Sequence, residues 1–527
     1  MSQLSKKNSP LWQRAKLHAG REEWVQAIAA FKALLTKYPD DPRILIQLSY
    51  VESLAGHYRA ARAYALRASA AKPADPEIVN ELIARLRTFN AAQALHSCVE
   101  RMRLDRIPIP LLLAFASQFS NLNEQERALK LLDEAQRGDP DYPVTLIARS
   151  QVLMYLGRLD EAEADVLRAL RRAPEIAQAS WLLSRLRKQT AESNHVEQIR
   201  LQLQQPDRKP GEIALLADAL HKELDDLGDH AGAWNALDQA CRAKRSTLDY
   251  RADNSRAIVT ALVEAPKPLA SPSSAASGDS RVPIFVVGMH RSGTTLLEQL
   301  LDGHSDVHGI GELYDFTSQM RYATDHHCRG VIDSTIVERA KEIDLEEVGR
   351  RYLAGVEWRL SQERYFTDKL PSNFLNIGFI CQALPQAKIL HIVRDPLETC
   401  FSNLRELFSD ANPYSYDQIE LADYFLQYQR LMRHWHAAYP GRILDVDYAE
   451  LTREPERVMR GVSQFCGLEF EPDMLDLSSR TRGVATASAV QVREKVIARE
   501  TPKWQPYASY LQPLIQRLRS VKGSNQG

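Results

Sequence analysis

At about 150 residues per domain, a chain of 527 residues holds roughly three to four domain-equivalents. Cores of that size need no disulfide or metal to close them. The 67 Lys and Arg against 68 Asp and Glu leave a net charge of −1, which excludes a dedicated nucleic-acid binder, whose phosphate contacts need a basic excess. Apolar residues at 44% and charged residues at 26% are ordinary for a soluble globular chain. Six cysteines (Cys98, Cys241, Cys328, Cys381, Cys400, Cys466) show no CxxC spacing, so a zinc ribbon, a thioredoxin-like motif and a disulfide scaffold are not expected. The first residues carry no apolar signal-peptide core. The longest apolar runs, near 110–116 and 283–289, fall short of the ~18 residues of a spanning helix. The expectation is a cytoplasmic protein without a membrane span.

From the N-terminal end the chain repeats. Prolines recur at 39, 73, 108, 140, 174 and 206, with spacings of 34, 35, 32, 34 and 32. Gly56, Ala61, Ala65, Ala68 and Pro73 are matched by Gly157, Ala162, Val166, Ala169 and Pro174. Glycine lets the chain turn between two helices, small residues let the helices approach, and proline ends the second helix. One such hairpin cannot bury its apolar face, so copies stack. The segments AIAAFKALLTKYP and AEADVLRALRRAP resemble the tetratricopeptide repeat (TPR). About six to seven repeats are expected over residues 10–246, with degenerate units ending at Pro108 and Pro206 and a final unit, with Gly228, Ala233, Leu237 and Ala240, that lacks its proline. Such an array presents a surface for a peptide or partner protein, or props up a second domain.

Residues 265–280, APKPLASPSSAASGDS, read as a linker or loose loop, and the boundary region is set at 247–281. From 282 to 515 the pattern changes. Short apolar runs at 282–287, 388–393 (KILHIV) and 442–446 (RILDV) read as strands separated by helices, which predicts a parallel sheet in an α/β domain. The first strand leads into a turn and helix, PIFVVGMHRSGTTLLEQLL. Gly288, four residues, Gly293, Thr294 and Thr295 fit the phosphate-loop pattern GxxxxGK[ST] with Thr294 in place of the lysine. Backbone N–H groups and the helix N-terminus still cradle an anion there, and Arg291 supplies the positive charge. After KILHIV come Arg394 and, eight residues on, Ser402. These offer a forked charged donor and a hydroxyl to one phosphate.

The RSGTT loop resembles the 5′-phosphosulfate loop of sulfotransferases that use 3′-phosphoadenylyl sulfate (PAPS). In those enzymes the Arg-x7-Ser spacing holds the 3′-phosphate. The segment from Ser488 to Trp504 and the Gly311-Glu312 pair resemble tyrosylprotein sulfotransferases, and the likeness covers about residues 282–510. It implies a P-loop-like sulfotransferase domain with Arg291, Ser292, Gly293, Thr294 and Thr295 on the phosphosulfate and Arg394 and Ser402 on the 3′-phosphate. It further places Tyr448, Ser488, Gln491, Val492 and Lys503, next to Trp504, over the nucleotide. Glu312, after Gly311, is implied as the base, and Lys369 in FTDKLPSNF as the cation on the leaving-group oxygen, with Arg291 beside it. The competing bases are His304 and His308, since histidine is the commonest general base. One departure stands out: two residues after the base the family carries an Arg, and here it is Tyr314.

The expectation is therefore multidomain, an all-α TPR solenoid followed by an α/β sulfotransferase domain. It moves a sulfuryl group from PAPS to a hydroxyl, leaving 3′-phosphoadenosine 5′-phosphate (PAP). No metal ligand set is expected. The acceptor class (protein or peptide, saccharide or small molecule), the ligand of the repeats and the oligomeric state are not readable. Two other readings remain at this stage. One is an ATP-dependent phosphotransferase with an altered loop, for which Asp395 is the candidate magnesium ligand. The other is a repeat scaffold whose second domain only senses a nucleotide.

Overall fold

A computed structural model describes residues 9–265, 281–477, 483 and 501–520. Among these, fourteen helices run in sequence over the repeat region: α1 (Pro10–Gly20), α2 (Trp24–Lys37), α3 (Pro42–Leu54), α4 (Tyr58–Ala70), α5 (Pro76–Thr88), α6 (Ala92–Glu100), α7 (Ile109–Asn121), α8 (Gln125–Gly138), α9 (Pro143–Leu156), α10 (Leu159–Arg172), α11 (Ala177–Leu186), α12 (Val196–Leu203), α13 (Pro210–Asp226) and α14 (His230–Arg245). Six consecutive pairs among them pack as helical hairpins, in step with the proline spacing. The small residues at the repeat positions, Ala61, Ala65, Ala68, Ala162 and Ala169, are fully buried. A side chain on the first helix of three pairs bonds the carbonyl of that small residue on the second. Ser49 Oγ donates to Ala61 O at 2.7 Å, Ser150 Oγ to Ala162 O at 2.8 Å, and His221 Nδ1 to Ala233 O at 2.8 Å. The degenerate unit ending at Pro206 is irregular here as well: both α11 and α12 pack against α13.

Helix α15 (Ala252–Glu264) lies inside the stretch expected as a linker, with Val259 and Leu262 buried. The chain then enters a sheet: β1 (Val282–Gly288), α16 (Thr294–Leu301), β2 (Val307–Gly309), α17 (Asp315–Ala323), α18 (Ser334–Arg339), α19 (Leu345–Val356), β3 (Tyr365–Asp368), α20 (Ile377–Ala383), β4 (Lys388–Val393), α21 (Pro396–Leu404), α22 (Gln418–Ala438), β5 (Ile443–Asp447), α23 (Tyr448–Arg453), α24 (Pro455–Cys466) and α25 (Gln512–Ser520). The strand order is β2-β3-β1-β4-β5, and every pair is parallel. All seven residues of β1 are buried, which is why its sequence is a continuous apolar run instead of an alternation. On one face Ile284, Val286, Leu390, Ile392 and Val446 pack with Leu297 and Leu300 of α16 and with Met459 and Val462 of α24.

The chain divides into two compact units. The first holds the described residues up to Gly138 together with Tyr314–Tyr352. In it Ser318 Oγ donates to Phe89 O at 3.3 Å, and Asp325 Oδ1 accepts from Arg59 N at 2.7 Å. These bonds seat α17 and its following turn on the repeats. The second unit holds the remaining described residues, helices α9–α14 and the sheet included. The six cysteines are buried and unpaired. Among the described residues no helix is long and apolar enough to cross a membrane.

Candidate active site

The C-terminal ends of parallel strands are where α/β folds hold ligands. Here each of the five strands runs directly into one of the residues singled out above. Strand β1 leads to Arg291, β2 to Glu312, β3 to Lys369, β4 to Arg394 and β5 to Tyr448.

The loop after β1 is held in an unusual backbone. Gly293 has φ 112° and Arg291 φ 63°, the second a conformation that costs a residue with a Cβ about 1–2 kcal/mol. A Cβ on Gly293 would lie 2.3 Å from Cδ2 of Tyr448, so the tyrosine ring closes on the loop and only glycine fits. Ser292 Oγ donates back to Met289 O at 2.7 Å and tightens the turn. Thr294 and Thr295 are buried at the start of α16. Arg394 Nη1 donates to Arg291 O at 3.0 Å and its Nη2 to Glu398 at 2.8 Å. Its guanidinium lies over the Tyr448 ring at 4.6 Å. The structure thus brings Arg291, Gly293, Arg394 and Tyr448 together. Ser402 lies on α21, one residue before Asn403, whose Nδ2 donates to His290 O in the loop at 2.6 Å.

Glu312 and Lys369 form the second group. Lys369 Nζ donates to Glu312 Oε1 at 2.6 Å; the lysine is fully buried, the glutamate side chain 32% exposed. The backbone beside them is pinned: Lys369 N donates to Gly311 O at 3.0 Å, and Gly311 N to Glu298 Oε1 at 2.8 Å. Glu298 also accepts from Thr367 Oγ1 at 3.1 Å. Burying a lysine is costly unless it is paired, so this carboxylate and ammonium hold each other in place.

His290 lies between the two groups. Burial pushes its pKa down to about 3, with Lys369 and Arg291 adding to the fall, so it is neutral at ordinary pH. Tyr414 OH and Ser372 Oγ lie 3.2 and 3.5 Å from its ring nitrogens. The competing bases lie elsewhere. His304 precedes β2, at the end opposite Glu312; it donates through Nε2 to Glu469 O at 2.9 Å and accepts at Nδ1 from Asp306 N at 3.0 Å. His308, within β2, is 3.9 Å from Glu363. Asp395 Oδ1 accepts from Glu398 N at 2.9 Å as the N-cap of α21.

Several residues at the site carry no sequence signal. Glu406, just past α21, is buried and pairs with Arg185 of α11 at 2.9 Å. Arg405 donates to His221 Nε2 at 3.0 Å and pairs with Asp225. Tyr155 of α9 is partly buried and its hydroxyl accepts from Gln151 Nε2 at 2.9 Å. Its pKa is raised first by burial, with the carboxylates of Glu312 and Glu406 adding to the rise. Ser488, Gln491 and Val492 lie outside the described residues. Lys503 is described, in the turn before the short helix Gln505–Tyr507. One group on the far side of β4 has ligand chemistry: His391, His436 and Asp445, with ligating atoms within 4.8 Å of one another. Their polar atoms are already engaged, Asp445 Oδ1 with both histidines at 2.7 and 2.9 Å and His391 Nε2 with Tyr428 OH.

A phosphate-type loop whose lysine is replaced and a buried lysine–glutamate pair thus both follow the C-terminal ends of the parallel strands. Residues 283–472 match the Sulfotransferase family. The matched stretch contains all five strand-end residues and every strand residue except Val282. A protein of Aquifex aeolicus (strain VF5), described as uncharacterized, is 29% identical over 537 residues, covering 92% of this chain and 70% of that one. Its likeness therefore extends across the repeats as well. Protein-tyrosine sulfotransferase 2 of Gallus gallus is 23% identical over 240 residues, covering 41% of this chain and 59% of its own length. The omega-hydroxy-beta-dihydromenaquinone-9 sulfotransferase Stf3 of Mycobacterium bovis is 26% identical over 248 residues, covering 36% and 64%.

Proposed function

We propose that the protein transfers the sulfuryl group of PAPS to a hydroxyl acceptor. The observation that carries this reading is the convergence of Arg291, Glu312, Lys369, Arg394 and Tyr448 at the C-terminal ends of five parallel strands. In this reading the loop 291–295 and the N-terminus of α16 hold the 5′-phosphosulfate. Arg394 and Ser402 take the 3′-phosphate, and Tyr448 packs by the nucleotide, with Ser488, Gln491, Val492 and Lys503 completing the cover. Glu312 accepts the acceptor's hydroxyl proton as its oxygen attacks sulfur. Lys369 and Arg291 stabilise charge on the departing phosphate and the transferring group. The 2.6 Å contact between Lys369 and Glu312 keeps the glutamate aimed until the acceptor hydroxyl displaces part of that pairing. The domain limits proposed for this arrangement are 10–246, 247–281 and 282–515, with the repeats recruiting the acceptor or a partner protein.

The relatives act on different acceptors by their names, a protein tyrosine and a menaquinone-type hydroxyl. Tyr314 stands where tyrosylprotein sulfotransferases carry an arginine, so a tyrosine acceptor is not assumed for this chain. Calorimetric titration tests the donor. PAP should bind without magnesium, and the Arg394→Ala/Ser402→Ala variant should lose that binding. Binding of ATP with magnesium and none of PAP would overturn the reading in favour of phosphoryl transfer.

A further inference from the structure

Arg291 is held at both ends. Its backbone sits at φ 63°, in a region that non-glycine residues leave unless their surroundings over-determine it, and such strain gathers at working sites. Its carbonyl accepts from Arg394 Nη1 at 3.0 Å. Its guanidinium Nε lies 3.9 Å from Glu406 Oε2. The other oxygen of Glu406, Oε1, is 2.9 Å from Nη1 of Arg185. A carboxylate as buried as Glu406, at 7% exposure, is strongly disfavoured unless cations meet it. The two guanidiniums meet it at different oxygens, one from the phosphate-type loop and one from a repeat helix.

Arg185 is itself fixed. Its guanidinium lies 4.6 Å from the Trp181 ring centroid, and its Nη2 is 3.4 Å from Asp218 Oδ2. Trp181 Nε1 donates to the same Asp218 oxygen at 2.8 Å. Arg185 and Trp181 belong to α11 and Asp218 to α13, so the anchor is made wholly by repeat helices. Without Glu406, Arg291 would face the positive charges of Arg185, Arg394 and Arg405, which repel it, Arg185 most strongly, so Glu406 is what lets the two guanidiniums share one place. Burial and these cations already lower its hold on its own proton, against the pull of Glu406.

We propose that Arg185 is a positioning residue for the sulfuryl site: through Glu406 it fixes the guanidinium of Arg291 where the transferring group lies. The inference rests on the PAPS reading above, and it makes helices α11 and α13 part of the transfer apparatus in addition to any recruiting role.

The test compares affinity for PAPS with affinity for PAP, which keeps both phosphates and lacks the sulfuryl group. The proteins are the full-length wild type, Arg291→Met, Glu406→Gln, Arg185→Lys and the double variant Arg185→Lys/Glu406→Gln, each first shown to melt as a folded protein. Arg291→Met should shift the PAPS-to-PAP affinity ratio towards PAP by about tenfold, the scale of one charge-assisted hydrogen bond. Glu406→Gln and Arg185→Lys should shift the ratio in the same direction. The double variant should shift it no further than Glu406→Gln alone, because the arginine acts through the glutamate. A ratio unchanged in Glu406→Gln or in Arg185→Lys, or a double variant whose shift is the product of the two singles, overturns the inference. A wild type that binds PAP and PAPS while Arg291→Met leaves the ratio intact removes Arg291 from the sulfuryl group and overturns it too. A wild type that binds neither nucleotide overturns the PAPS reading itself.

Discussion

Replacing Gly293 by alanine tests the loop's geometry quantitatively. Two costs add. The backbone at φ 112° disfavours any residue with a Cβ, by roughly 1–2 kcal/mol. The new methyl would sit 2.3 and 2.6 Å from Cδ2 and Cε2 of Tyr448, well inside contact distance, and pushing a packed ring aside costs roughly 1–3 kcal/mol. The sum is about 2–5 kcal/mol. At ~1.4 kcal/mol per tenfold, PAP affinity should fall by at least about thirtyfold if the loop must hold this shape to bind. Gly441 gives the control: it too has positive φ, 76°, but nothing lies within 4 Å of its Cβ position, and it precedes β5 at the end away from the site. Gly441→Ala should lower the melting temperature slightly and leave PAP affinity as in the wild type. Gly293→Ala/Tyr448→Ala should melt higher than Gly293→Ala, because the ring is gone. Calorimetry and thermal melting read all three. A Gly293→Ala protein that binds PAP within threefold of wild type (about 0.6 kcal/mol) would refute the loop assignment.

Three further outcomes are expected. Glu312→Gln should keep PAP affinity while lowering transfer from PAPS by about 10²–10⁴-fold, the scale of a lost general base; equal loss of both would make Glu312 structural. Wild type should prefer PAP over adenosine 5′-monophosphate, and Arg394→Ala/Ser402→Ala should abolish that preference, since hydrogen bonds from charged groups contribute roughly 1.5–3 kcal/mol. Acid should destabilise the fold early. Burial, the largest cause in each case, lowers His221 and His290 to about 3 and His327 to about 4, so each is neutral when folded but takes a proton near pH 6.5 when unfolded. The unfolded chain then binds more protons as pH falls below about 6.5, and stability declines down to the folded values of 3–4. One unit below 6.5 the buried His221 and His290 each contribute a loss of ~1.4 kcal/mol, and the more exposed His327 contributes less. Melting temperatures measured from pH 7.5 to 5 should fall, and His221→Gln should flatten the slope.

The sequence made the repeats visible because helix pairs impose a period on small residues and prolines, and Ala61, Ala162 and Pro174 register that period whatever surrounds them. The phosphate-type loop was readable for a similar reason: its glycines answer to a backbone shape, and the shape is local. Glu312 and Lys369 were reached through family likeness, and the structure sets them 2.6 Å apart. Their pairing spans 57 residues and has no local mark. The same holds more strongly for Arg185 and Glu406, 221 positions apart in number, which read singly as ordinary surface charges and meet only because a repeat helix packs beside the end of α21. Helix α15 lay hidden next to a Pro- and Ser-rich stretch whose composition dominated the reading. The grouping of Tyr314–Tyr352 with the first eight helices had no composition signal either, since it depends on contacts such as Ser318 with Phe89.

The most direct test of sulfuryl transfer follows the label. The wild type and Glu312→Gln are incubated with sulfur-radiolabelled PAPS and, separately, a tyrosine-containing peptide, a long-chain alcohol and a saccharide, and in parallel with γ-labelled ATP and magnesium. Label from PAPS should appear on at least one hydroxyl acceptor with the wild type and not with Glu312→Gln, and none should come from ATP. Transfer from ATP, or equal transfer from PAPS by both proteins, would contradict the account.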